Sequence, residues 1–127
     1  MIKLVYCIMR RPDLSFDAFS KTWAQDHAPL VRRYAEAIRV IKYVQSHSQL
    51  PDLNTVLQAS RADMRPGYDG ITELWWESLD AFHEGMQRPE AIEAGRALKQ
   101  DEKRFIDFSR STMFLTQEHS IIEPGSQ

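Results

Sequence analysis

Gly70-Ile-Thr-Glu-Leu-Trp-Trp-Glu-Ser-Leu-Asp-Ala-Phe82 holds, in one stretch, the passage from strand to helix on which the fold turns. In its first half, Ile71, Glu73 and Trp75 alternate with Thr72, Leu74 and Trp76, the period of a β-strand with bulky side chains on both faces. In its second half, Ser78 is placed to cap a helix, Asp80 suits the positive helix end, and Phe82 opens a buried stripe. The same passage occurs near the start of the chain. Ile2 to Met9 is a strand closed by Pro12, and Ser15-Phe-Asp-Ala-Phe19 opens a helix in the same way. Alternation over Arg39 to Ser48 predicts a second strand, and Thr112 to about Ile122 a fourth. The order is βαββαβ, an α+β chain of ferredoxin-like type with a four-stranded antiparallel sheet and helices on one face. Pro89 interrupts the second helical region and starts a new helix running to about Ile106, weakened locally by Gly85 and Gly95.

With 127 residues, 43% of them hydrophobic and 27% charged, the chain is one domain large enough to bury a core without disulfides or metals. We place that domain at residues 1–123, with 124–127 as a C-terminal tail. The net charge of −2 gives no electrostatic case for nucleic acid or an acidic membrane surface. The Arg10-Arg11 and Arg32-Arg33 pairs read as solvated. No apolar run reaches the length of a membrane span, and a lone Cys7 in a strand-like run fits inert packing and a cytoplasmic location. The connection from about Gln49 to Asp69 is long for a compact domain and reads as a lid, a rim or a surface insertion, with a short helix at Leu53 to Ser60.

Chemistry concentrates around Trp23-Ala-Gln-Asp-His27-Ala-Pro-Leu30. Phe16, Phe19, Trp23, Leu30, Tyr34 and Ile38 recur at helical spacing, and His27 lies on their stripe. Pro29 has no N–H for the Gln25 carbonyl and disfavours helical geometry at Ala28, so a kink or restart is expected at Asp26 to Ala28. An imidazole on the buried side of such a break suits a catalytic role or a hydrogen-bonded core position. His27, His47, His83 and His119 form no metal-ligand pattern, and no phosphate-binding glycine motif or serine-nucleophile elbow occurs. No metal is expected.

The Ile2-Lys-Leu-Val-Tyr6 opening with Arg10-Arg11-Pro12 resembles EthD-domain proteins. So do Trp23…His27-Ala-Pro-Leu30, Tyr68-Asp-Gly70…Glu73-Leu-Trp75, Asp101-Glu102…Phe105-Ile-Asp107 and Glu118-His119. The resemblance spans nearly the whole chain and implies a homodimer in which two ferredoxin-like sheets pack into an α/β barrel, each sheet beside a cavity. Relatives of that architecture include muconolactone-type isomerases, polyketide cyclases, cofactor-free monooxygenases and haem-handling proteins, so fold is implied better than reaction. Haem is implied by that analogy alone; no cofactor is expected.

Strand alternation then assigns the cavity. Glu73 and Trp75 would face it from the third strand, and Tyr43, Gln45 and His47 from the second, leaving Val40, Val44, Leu74 and Trp76 to the helices. His27 with Glu73 would form an acid/base pair, as the histidine matching His27 lies at the active site of the isomerase relatives. Tyr43 would orient or polarise a substrate oxygen, a tyrosine near its position being implicated at that active site as well, and Trp75 would stack on a ring. Asp101, Glu102 and Asp107 read as helix-end and interface contacts. The expected activity is isomerisation, cyclisation or dehydration of a small apolar or aromatic carbonyl compound. Two alternatives stay open: an oxygen-using enzyme or accessory component of an oxidative pathway, and a ligand-binding protein without chemistry.

Overall fold

The structure, a computed structural model, describes residues 1–125, so the last two positions of the 124–127 tail lie outside the described residues. Strand β1 (Ile2–Ile8) leads into helix α1 (Phe16–Lys21), a π-helical turn (Thr22–His27) and helix α2 (Ala28–Tyr34). Strand β2 (Lys42–His47) and the outlying helix α3 (Pro51–Ala59) follow, then strand β3 (Gly70–Trp76). Helices α4 (Leu79–Gln87) and α5 (Pro89–Glu102) lead through a 3-10 turn (Phe108–Arg110) to strand β4 (Thr112–Thr116). The sheet is antiparallel with strand order β2-β3-β1-β4, the ferredoxin-like arrangement expected. The strands at Ile2–Ile8 and Gly70–Trp76 fall where alternation puts them, whereas β2 starts later and β4 stops well short of Ile122.

Capping starts both helical regions as the paired sequences predict. Ser15 Oγ accepts from the Ala18 N–H and Ser78 Oγ from the Ala81 N–H, each at 3.1 Å. Pro89 opens α5, where its missing N–H has no helical partner to lose. Two apolar clusters fill the space between sheet and helices. One joins Trp76 with Val31, Ile38, Val40, Ala91, Ala94 and Leu98; small Ala91 and Ala94 face the core while Ile92 stays exposed. The other gathers Phe19, Trp23, Phe105, Ile106, Tyr6 and Ile8, with the Phe19 and Trp23 rings 5.3 Å apart.

One solvated-looking feature does structural work. Arg10 is not merely solvated: its backbone N–H and guanidinium both bind the Asp69 carboxylate, at 2.8 and 2.7 Å, closing the long connection at the mouth of β3. Within that connection α3 buries none of its residues and exposes Leu53, Val56 and Leu57. No helix among the described residues is long and apolar enough to cross a membrane.

The glycines of the second helical region differ in kind. A Cβ on Gly85 would overlap the Ile38 carbonyl, the same carbonyl that accepts the Trp76 indole N–H at 2.7 Å. Gly95 has nothing near it. Gly85→Ala should therefore destabilise the protein by about 2–3 kcal/mol through overpacking. Gly95→Ala should stabilise it by about 0.5–1 kcal/mol through helix propensity alone. Thermal denaturation of the two variants checks both signs; equal effects would mean that the α4–Ile38 contact is not tight.

Candidate functional site

His27 reaches the interior through a change of helical pitch rather than a break. Ala28 stays helical, at φ −58° and ψ −43°, and its N–H bonds the Trp23 carbonyl five residues back. The expected kink is replaced by the π-helical turn, whose wider spacing ends where Pro29 enters the first turn of α2. Trp23 and His27 are both buried by this turn, and the imidazole meets the Phe105 ring edge-on at 5.1 Å.

Asp101, in the last turn of α5, receives the histidine. Nδ1 of His27 lies 2.7 Å from one carboxylate oxygen, and Arg104 Nε donates to the other at 2.8 Å. The carboxylate accepts, so Nδ1 carries the proton and Nε2 keeps its lone pair; Nε2 has no hydrogen-bond partner among the described residues. Burial pushes the His27 pKa below its usual 6.5, outweighing Asp101, so the ring is neutral at pH 7. Burial alone would raise the Asp101 pKa, yet the Arg104 and His27 hydrogen bonds together hold it below the usual carboxylate range. The pair is a neutral base oriented by an anion.

His27 and Tyr43 line a narrow cavity of about 50 Å³ between sheet and helices, with Trp23, Leu74 and Leu98 among its apolar walls. Tyr6 and Glu102 line this cavity and also a more open cleft of about 320 Å³ that runs past Phe108 and Met113. The Tyr6 hydroxyl donates to Glu102 Oε1 at 3.0 Å. Burial raises the Glu102 pKa to about 7, and the Tyr6 hydrogen bond only partly opposes it. Tyr6 is itself pushed well above the ordinary phenol range by burial and the nearby carboxylate.

The register corrects the strand faces read from the sequence. Tyr43 pairs with Leu74, Gln45 with Thr72 and His47 with Gly70, which puts all three on the helix side. Val44 pairs with Glu73 on the opposite side. The proposed His27–Glu73 pair is therefore wrong: the sheet stands between them, and Glu73 is instead ion-paired with Lys3 at 2.8 Å. Trp75 shares that outer face, its indole N–H bound to Glu118 at 2.7 Å and its ring covered by the Lys3 and Lys42 ammonium groups. It is not available to stack on a ligand beside His27.

Gln45 and His47 form a chain beside the cavity. The Gln45 amide N–H₂ donates to the Tyr43 hydroxyl at 2.6 Å and to the Trp23 carbonyl at 3.0 Å. Its oxygen accepts from His47 Nε2 at 2.8 Å, which leaves Nδ1 to accept from the Ser20 hydroxyl at 2.5 Å. Burial lowers the His47 pKa, and its ring stacks on Trp23 at 4.2 Å. Sequence reasoning missed Asp101 and Glu102, set aside as helix-end contacts. A signal was present: they continue the stripe Ala94, Leu98 toward Phe105, and an acid on an apolar stripe deserves the weight His27 received. Among the described residues no three His, Cys, Asp or Glu side chains gather as a metal site.

This geometry defines a ferredoxin-like α+β domain with a histidine–aspartate pair facing a cavity between sheet and helices. The chain belongs to the EthD domain family, whose pattern it matches over residues 11–109. A relative from Metarhizium robertsii, named conidial pigment biosynthesis dehydratase EthD, is 24% identical over 127 residues, covering 98% of this chain and 87% of that protein. An EthD family protein from Bacillus halodurans superposes with a TM-score of 0.60 at 16% identity, covering 94% of this chain and 99% of that one. A protein from Bacteroides fragilis described as dimeric, with a ferredoxin-like fold and unknown function, gives 0.54 at 9%, covering 92% and 95%.

The raised Glu102 pKa has a sign in stability. The folded state holds the proton up to about pH 7, while the unfolded chain releases it near 4.5. Stability is therefore lost as pH rises from about 4.5 to 7, by up to roughly 3 kcal/mol. Glu102→Gln, which keeps an oxygen for Tyr6, should be more stable than wild type at pH 8 and match it near pH 4.5. Denaturant unfolding at the two pH values checks this; equal stabilities at pH 8 would show Glu102 to be well solvated.

Proposed function

We propose that this chain catalyses cofactor-independent acid/base chemistry on an apolar or aromatic carbonyl compound, with His27 as the base. The observation that carries the reading is the Nδ1–Asp101 hydrogen bond, which leaves an unprotonated, unpartnered Nε2 at an apolar cavity. A base so placed takes a proton from carbon next to a carbonyl, and the C–H electron pair moves toward the carbonyl oxygen as an enolate. Isomerisation returns the proton to another carbon, and cyclisation uses the enolate carbon as a nucleophile. In dehydration the enolate expels a hydroxyl from the adjacent carbon, which takes up a proton and leaves as water. The relative named a dehydratase favours this last course. Tyr43 borders the cavity, which supports giving it the role of orienting the substrate.

The same reading has the chain acting as a cytoplasmic homodimer. The helices cover one face of the sheet, while Val5, Cys7, Val44, Ile71 and Phe114 share the other with the Lys3–Glu73 pair. Phe114 is half exposed there. A second sheet would remove this surface from water, and a structural neighbour is described as dimeric. Phe114→Glu should turn a dimer into a folded monomer in sedimentation at micromolar concentration. A wild-type monomer under those conditions overturns the dimer.

For His27 the readout is deuterium exchange at the α-carbon of 2-tetralone, followed by NMR in D₂O. His27→Gln should slow protein-catalysed exchange by about a hundredfold to ten-thousandfold. Its melting temperature should fall only by the equivalent of about 1–3 kcal/mol, since Asp101 keeps Arg104. Exchange no faster with wild type than in buffer, or undiminished in the folded variant, overturns the assignment.

A further inference from the structure

We propose that Glu102 is a hydrogen-bond donor of the site beside Tyr43, its carboxyl group holding the oxygen of a neutral keto or hydroxy compound that enters through the cleft beside Phe108 and Met113. The proposal deepens the acid/base reading above, because it supplies the group opposite the base. Its first support is position. Glu102 and Tyr6 are the residues common to the outer cleft and the inner cavity, so a molecule reaching His27 from the cleft passes them. Among the described residues Glu102 is also the one carboxylic acid bordering the cavity that His27 borders.

The second support is hydrogen-bond capacity. Tyr6 spends its single O–H on Oε1, leaving Oε2 free of any partner among the described residues. An ionised carboxylate there only accepts, whereas a protonated one turns Oε2–H toward a ligand. With its pKa raised to about 7 by burial, Glu102 holds that proton in acid and in about half of the molecules at pH 7. His27 is displaced the other way and stays neutral, so the site presents one acid and one base together.

The surroundings bear on how Glu102 titrates. Tyr6 approaches from β1, Tyr43 from β2 and His27 from the π-helical turn, while Asp101 and Lys99 flank it on α5. Of these, Asp101 holds the proton on and Lys99 draws it off, and Tyr6 stabilises the charged form. Among the described residues no Arg or Lys borders the inner cavity, and Lys99 is the one cation on the outer cleft, so a carboxylate drawn inward past Glu102 leaves its counter-charge behind. The substrate class is accordingly a neutral oxygen compound, not an acid.

The experiment is binding of 1-tetralone to the full chain by calorimetry between pH 5.5 and 9, with 1-naphthoate as the charged control. Affinity for the ketone should be flat in acid and fall about tenfold per pH unit once Glu102 ionises. Glu102→Gln, a donor at every pH, should abolish the fall, and Tyr6→Phe should move it to higher pH by removing a hydrogen bond to the carboxylate. The second variant serves if the first does not fold. His27→Gln should retain the fall while losing α-carbon exchange, which separates this proposal from the assignment of the base. Affinity independent of pH, a fall that survives in Glu102→Gln or does not move in Tyr6→Phe, no binding at millimolar ketone, or tighter binding of 1-naphthoate would each overturn it.

Discussion

The seven-residue pairing of β1 with β3, from Ile2 opposite Trp76 to Ile8 opposite Gly70, governs where every other part of the molecule can lie. These are the two central strands, and the pleat leaves no freedom once they are in register. Leu4, Tyr6, Ile8, Thr72, Leu74 and Trp76 must share one face. Helices cover that face alone, so all space for a buried site lies between it and α1, α2 and α5. A slip of one residue would send Tyr6 to the far side and take the Glu102 contact with it.

On that frame the site is assembled from two ends of the chain. The π-helical turn delivers His27 from the first half, and the last turn of α5 delivers Asp101 and Glu102 from the second. Consecutive acids on a helix point about 100° apart. One therefore meets the histidine while the next meets Tyr6 on β1. Their environments diverge accordingly: Asp101 keeps an arginine and stays ionised, whereas Glu102, buried beside a phenol, gives up its charge easily. Two carboxylates adjacent in sequence thus hold opposite protonation preferences, the condition for acid and base to coexist at one pH.

The outer face of the sheet obeys different physics. Its charges are paired across strands, Lys3 with Glu73 and Glu118, and two ammonium groups cover Trp75. This arrangement keeps an aromatic ring buried without helices and leaves Val5, Cys7, Val44, Ile71 and Phe114 as the apolar remainder. Pleat alternation makes this surface chemically independent of the cavity behind it, because the two faces draw on separate residue sets.

Local patterning by itself determined the element order, the capped helix starts at Ser15 and Ser78, the restart at Pro89 and the burial of His27. Each follows from interactions within a few residues along the chain: backbone sterics, capping bonds and the period of a helix or strand. The faces of β2 were not legible, because Tyr43, Gln45 and His47 look polar enough for a wet cavity while Val44 looks like core. Which side faces the helices is set by register with β3, a long-range pairing that alternation within one strand cannot encode. The partner of His27 was equally out of reach, since Asp101 comes 74 residues later and meets it only when α5 packs across the π-helical turn. Only the tertiary structure decided the electrostatics as well: burial lowers the pKa of His27 and raises that of Glu102, and burial is a property of the packed molecule.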